Sequence, residues 1–197
     1  MQAPGRGPGE SLERPVAHHR SVPDILVPDP GLVVLVGAAG VGKSTFAAYH
    51  FAAGEILSSD RYRAIVSGDE SDQAGTRIVF AWLHRDLEAR LANGRLTVVD
   101  ATSVEGSARR ALVARALAAK LPAMAIVLDL PEATVLARNA TRRPRTVDEA
   151  VVRRHLARLR ASLDGPDPTI GREGFAQIVV LRDPAELDLV RIRRRRT

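Results

Sequence analysis

The chain has 197 residues, 45% of them apolar and 26% charged, which supports one packed core and excludes wholesale disorder. Cysteine is absent, which excludes disulfides, thiolate zinc sites and cysteine nucleophiles, and no apolar stretch reaches the roughly 18 residues of a membrane-spanning helix. The formal net charge is +6, yet five arginines sit in the last seven residues, so a nearly neutral body carries a basic tail, expected to be either solvated and mobile or docked on nucleic acid.

Residues 1–30 are rich in proline and glycine, include His18 and His19, and hold no apolar period. They read as a flexible extension, and without a continuous apolar segment they are not a secretory signal; the expected location is the cytoplasm. Gly31–Gly37 is a short β-branched run suited to a strand buried on both faces. A helix is expected from Lys43 to about Ala53, then a strand at Glu55–Ser58. Thr76–Asn93 reads as an amphipathic helix with Ile78, Val79, Trp82, Leu83, Leu87 and Leu91 on its core face, stopped by Asn93-Gly94. A strand follows at Leu96–Asp100, a helix at Ser107–Lys120, a strand at Ala123–Leu128, helices at Pro131–Thr141 and Val147–Leu163, and a last strand at Ala176–Leu181. This alternation predicts an α/β domain with a parallel sheet. The first four strands end at Gly37, Ser59-Asp60, Asp100 and Asp129, which predicts that these residues share the ligand-binding edge of the sheet.

Gly37-Ala-Ala-Gly-Val-Gly-Lys-Ser44 matches the phosphate-loop pattern G-x-x-x-x-G-K-[ST] in full. Gly37, Gly40 and Gly42 let the loop curl so that backbone N–H groups face a phosphate, and the following helix adds its positive end. Lys43, one of only two lysines beside 27 arginines, is expected on the β- and γ-phosphates, Ser44 on Mg²⁺, and Thr45 beside them. The bland alternative is a chance glycine-rich turn, but the strand before it and the helix after it are the required context. Neither lysine sits in the N-K-x-D setting of GTPases, and the chain length favours a kinase over a motor ATPase.

A kinase also needs a base, cations over the phosphoryl group and an acceptor pocket. Asp60 is placed to be the base or, alternatively, a helix cap. Arg63 is three residues on, an acceptor-phosphate ligand or a surface residue. Arg138 and Arg142, at i and i+4, share one helix face; they read as a lid over the γ-phosphate or as a solvated basic face, extended by Arg143 and Arg145. Trp82 is expected in the core, and Tyr62 either stacks on an acceptor base or covers a helix start.

Several stretches occur together: the phosphate loop with Thr45-Phe46-Ala47, Leu57-Ser-Ser-Asp-Arg-Tyr-Arg63, Gly68-Asp-Glu-Ser-Asp-Gln73, Leu96-Thr-Val-Val-Asp-Ala-Thr102, Ala137-Arg-Asn-Ala-Thr-Arg142 and Arg172-Glu-Gly-Phe175. In this order the chain resembles, over roughly residues 33–181, the kinase domain of bacterial polynucleotide kinase–phosphatases, the 5′-OH polynucleotide kinases of RNA repair. The resemblance implies Lys43 and Ser44 on ATP and Mg²⁺ and Asp60 as base for the acceptor 5′-OH. It implies Arg63 on an acceptor phosphate, Arg138 and Arg142 on the donor phosphates, and Asp100 in support near metal and phosphates. Val41 and Ser103 stand where the family often has Ser and Asn, and Gly68 begins a stretch where it tends to have a second acidic residue. No phosphatase or adenylyltransferase module fits after residue 181, which implies a stand-alone kinase module.

The expected architecture is a P-loop kinase fold. It has about five parallel strands in the order 2-3-1-4-5, a kinase domain over residues 31–190, a helical lid at about 138–165 and a basic tail at 191–197. The expected reaction is Mg²⁺-dependent transfer of the ATP γ-phosphoryl to a hydroxyl, with a polynucleotide 5′-OH favoured. Alternatives are a small-molecule acceptor (metabolite, nucleotide sugar or antibiotic) or a non-catalytic ATP-binding regulatory module whose tail docks on nucleic acid.

Overall fold

A computed structural model describes residues 24–66, 73–142, 146–165 and 168–196. The aliphatic run of β2 (Leu32–Gly37) is buried at every position, as a central strand covered on both faces must be. It lies between β4 (Thr97–Asp100) and β5 (Ala123–Leu128), with β3 (Ile56–Ser58) and β6 (Gln177–Leu181) at the edges. All four pairings are parallel. Counting these five strands in chain order gives 2-3-1-4-5, the expected order.

Side-chain alternation along β2 divides the core in two. Val33 and Leu35 pack with Phe46, Val135, Val152 and Leu156, from the helices α1 (Lys43–His50), α5 (Glu132–Thr141) and α6 (Glu149–Asp164). Leu32, Val34 and Val36 face the opposite way, toward Leu83, Leu87 and Leu91 of α3 (Gln73–Ala92) and Leu112, Val113 and Ala116 of α4 (Gly106–Ala118). A short helix, α2 (Ser59–Val66), starts directly at the end of β3. Register then aligns the site: Asp100 is level with Leu35 on one side and with Ser58 on the other.

Three expectations need correction. The extension does not run to residue 30, because Asp24–Asp29 is a strand, β1. Nor is the arginine tail a mobile appendage: Arg191–Arg196 forms β7 and pairs in parallel with β1. The cause is a few apolar residues within the charged runs. Ile25, Val27 and Val190 are buried in the α1-side core, and Ile192, level with Ile25, packs against it. The arginines around them find acids: Arg193 lies 2.9 Å from Asp24, and Arg194 lies 3.2 Å from Asp29 and 2.9 Å from Glu55. Between β6 and β7, α7 (Pro184–Leu189) begins with a reciprocal cap between Asp183 and Glu186. The third correction is Trp82, which is 39% exposed rather than in the core, as is Ile78 at 45%. Val79, Leu83 and Leu87 already fill the inward stripe at i, i+4, and residues 78 and 82 lie one helical step (~100°) to its side.

Of the sequence features above, Gly68–Asp72, Arg143, Arg145 and the His18-His19 pair lie outside the described residues. Among the described residues, no helix is long and apolar enough to cross a membrane.

Candidate active site

The loop between β2 and α1 is held open by backbone geometry. Gly40 and Gly42 have φ of +81° and +113°, the left-handed region that disfavours side chains. Gly37 has a different constraint: a Cβ there would sit 2.9 Å from the Leu128 carbonyl oxygen. Gly42 caps α1 without any side chain reaching the free N–H groups, so the helix start keeps its anion-binding donors. Lys43 is buried, and its Nζ donates to the carbonyls of Gly37 (2.9 Å) and Ala38 (2.8 Å). Burial lowers its pKa from 10.5 to about 8, Arg142 acting in the same direction and the carboxylates of Asp100 and Asp60 opposing.

This loop forms the floor of a cleft of about 1070 Å³. Lys43, Ser44 and Thr45 line it from α1, Asp60 and Arg63 from α2, Asp100 from the end of β4, Arg138 from α5, and Arg142 from the extended residue that follows α5, not from a shared helix face as expected. These eight side chains thus meet in one cavity. Asp60 is clasped from both sides, by Arg63 at 2.9 Å on Oδ1 and by Arg142 at 3.4 Å on Oδ2. Arg138 turns the other way, its Nη1 donating to the Val41 carbonyl at 2.9 Å. Arg138 and Arg142 therefore divide the cleft, one on the phosphate loop and one on the opposite carboxylate. Asp129 does not join them. It is buried in ion pairs with Arg160 (3.2 Å) and Arg182 (3.4 Å) and ties α6 to the segment after β6.

Further groups surround these residues. Asn139 is buried; its amide Nδ2 donates to the Val147 carbonyl (2.7 Å) and its Oδ1 accepts from the Val147 N–H (3.1 Å). It ties the end of α5 to the residues before α6, and a Cβ on Gly40 would meet its Cβ at 3.0 Å. Tyr62 does not stack outward: its hydroxyl donates to Asp86 at 2.6 Å and so fastens α2, with Asp60 and Arg63, to α3. Partial burial and the Asp86 carboxylate push its pKa up to about 12. Behind the cleft, fully buried Arg109 donates to Glu173 through Nε (2.6 Å) and Nη2 (2.7 Å). Its Nη1 reaches the carbonyls of Ser103 (3.1 Å) and Val104 (2.7 Å). That pair braces the loop after Asp100, whose Thr102 carbonyl in turn accepts from the Gly37 N–H at 3.2 Å. Last, His155 of α6 lines the cleft; its pKa is lowered by burial and by the charges of Lys43 and Arg154. Of these, Tyr62, Asn139 and Glu173 lie within the quoted sequence stretches, whereas Arg109 and His155 have no local signal.

The donor set suits a nucleoside triphosphate with a divalent cation. It offers a glycine-lined anion cradle, an ammonium at its base and the cleft-facing Ser44 hydroxyl, a hard oxygen ligand. A family model described as an AAA domain matches residues 32–166, more than half of the chain. No curated protein matches the sequence. Among solved structures, a chain of the Pnkp1/Rnl/Hen1 RNA repair complex superposes with a TM-score of 0.57 at 20% identity, covering 77% of this chain and 48% of its own length. This chain thus spans about half of that relative. A gluconokinase from Sinorhizobium meliloti 1021 gives 0.53 at 18% identity over 83% of this chain and 89% of its own. Chaetomium thermophilum Kti12, solved with ADP-AlF3, gives 0.57 at 18% identity over 80% and 93%. These likenesses establish a P-loop kinase-like fold.

Proposed function

The chain belongs to the AAA-domain family, and from that footing we propose that it is a phosphotransferase moving the γ-phosphoryl group of ATP, with Mg²⁺, to a hydroxyl, the favoured acceptor being the 5′-OH of a polynucleotide. The observation that carries the reading is Asp60, a carboxylate clasped by two arginines in the same cleft as the phosphate loop. An ATPase that only hydrolyses or moves has no evident need of this arrangement, whereas a kinase needs a positioned base opposite its donor site.

In this reading the loop N–H groups and Lys43 hold the β- and γ-phosphates. Ser44 holds Mg²⁺, with Asp100 in support; the bound ion neutralises charge on the donor phosphates. Asp60 accepts the proton of the acceptor hydroxyl as its oxygen attacks the γ-phosphorus in line. The bond to the β–γ bridging oxygen breaks and ADP leaves. Arg138 and Arg142 stabilise the charge spread over the equatorial oxygens, and Arg63 takes a phosphate of the acceptor. Asn139 keeps the lid helices in register with the loop.

The test is transfer of γ-labelled phosphate to a 5′-OH oligonucleotide, with the 5′-phosphorylated strand and Asp60→Asn as controls. Label on the 5′-OH strand alone, reduced about 10²–10⁴-fold in the variant, is expected. Full transfer by the variant removes Asp60 from the mechanism. ATP binding without label on the strand turns the search to small hydroxyl acceptors.

A further inference from the structure

The buried stripe of α6 holds Val152, Leu156 and Leu159. His155 lies on the same stripe, at helical spacing from Val152 and Leu159, and it lines the cleft together with Val147 and the phosphate loop. A histidine that served only to pack would be expected to pair its buried nitrogen. Instead, its Nδ1 is buried with no hydrogen-bond partner. Protonating that nitrogen would bury an unpaired N–H, so the ring is held neutral with its one proton on Nε2. Burial and the charges of Lys43 and Arg154 act in the same direction. Among the described residues, no group accepts a hydrogen bond from Nε2. The cleft therefore gains a donor that adds no charge beside Lys43, Arg138 and Arg142.

Position selects its ligand. The backbone N–H groups of a phosphate loop enclose the α- and β-phosphates, while the loop lysine reaches the β- and γ-phosphates. His155 comes from α6 rather than from the loop, and it is near enough to Lys43 to feel its charge. The phosphate that the loop leaves least enclosed is the γ.

We propose that His155 is a further ligand of the donor nucleotide, its Nε2–H donating to a non-bridging oxygen of the γ-phosphoryl group. The proposal rests on the reading of the cleft as a triphosphate site and adds to it a contact that no sequence motif marks. Lys43 and the arginines supply charge. His155 supplies direction, because its helix is fixed in the core by Val152 and Leu156.

Calorimetry on the full chain with Mg²⁺ compares ADP with the β,γ-imido analogue of ATP, which keeps the γ-phosphoryl oxygens. His155→Ala is expected to weaken the analogue about tenfold, the worth of one hydrogen bond to a charged group, and to leave ADP within about twofold. His155→Gln carries an amide N–H near the place of Nε2 and is expected to recover most of the loss. His155→Asn carries it nearer the place of Nδ1 and is not. Unchanged affinity in the alanine variant overturns the proposal, as do equal weakening of both nucleotides and equal binding by the glutamine and asparagine variants. The measurement uses no acceptor. The expected contrast without transfer to any hydroxyl sinks the kinase reading and leaves this contact in place. Transfer by the wild type, with an alanine variant that binds the analogue in full, does the reverse.

Discussion

Arg109→Met is the perturbation whose cost follows most directly from the structure. Arg109 and Glu173 are both buried, and their two parallel hydrogen bonds compensate each other's charge. Removing the arginine leaves a carboxylate away from water without its partner, which costs about 3–5 kcal/mol. For a domain of this size, that is a fall in melting temperature of about 10 °C or more. Glu173→Leu strands the guanidinium and is expected to cost a similar amount. The double variant buries no charge. Its remaining loss is the carbonyls of Val104 and Ser103, which give up their donor, about 1–3 kcal/mol. The double variant is therefore expected to be more stable than either single variant, with a coupling of several kcal/mol. Urea melts of all four proteins at one pH measure this. Single variants each costing less than about 1 kcal/mol, or a double variant costing their sum, would refute the reasoning. Because the same arginine holds the loop carrying Thr102, the single variants are also expected to lower turnover at temperatures where they remain folded.

Further outcomes follow from the loop, the lid and the terminal strands. Lys43, with a pKa of about 8, is mostly neutral at pH 9, and triphosphate binding restores its charge. Calorimetry in buffers of different ionisation heat should then show proton uptake at pH 9 and little at pH 7, with affinity weakening above pH 8; buffer-independent heats at pH 9 would sink this. The stability sign is opposite. The unfolded value of 10.5 exceeds the folded one, so the burial cost is full below pH 8 and lifts as pH rises from 8 to 10.5. Lys43→Met should flatten that slope in denaturant melts. Gly40→Ala forces a side chain into a left-handed backbone against Asn139; a loss of about 1–2 kcal/mol and weaker nucleotide binding are expected, and an unchanged melt would contradict it. Deleting residues 191–197 removes the partner strand of Ile25 and Val27. The product is expected to melt earlier and to bind ATP less well at 37 °C, whereas a detachable docking tail would leave both unchanged.

The sheet was legible because its strands are buried on both faces and read as unbroken aliphatic runs, as in Leu32–Val36 and Ala123–Leu128. The terminal pair was not. In β7 a single isoleucine stands among five arginines, and nothing local says that Ile192 will lie level with Ile25 some 167 positions earlier. Only the long-range pairing gives those charges their acids. Trp82 shows the complementary limit. On a 20-residue helix an apolar stripe drifts, so residues at 78 and 82 can count as core in the sequence and still face outward.

The site divides along the same line. Gly37 to Thr45 is contiguous, and its chemistry dictates its spacing; Asp60 and Asp100 were legible because strand ends have defined positions in a parallel α/β fold, whereas the i, i+4 reading of Arg138 and Arg142 on one helix face fails, because α5 ends at Thr141 and Arg142 continues it with extended backbone. Supporting contacts between distant residues carry no such spacing. Arg109 and Glu173 are 64 residues apart, and the same strand-end rule that found Asp100 misplaced Asp129. A carboxylate at a strand's carboxyl end goes to the ligand only if no cation reaches it first. Arg160 and Arg182 reach Asp129 from the helix and loop that cover β5 and β6. At Asp60 the cations are themselves cleft residues, so pairing there keeps the carboxylate in the site. The origin of the partner, more than the presence of an ion pair, separates a candidate base from a structural acid in this fold. Arg182→Ala should therefore lower stability with phosphoryl transfer unchanged, while Arg63→Ala should do the reverse; the transfer assay and a thermal melt on the same two proteins decide it.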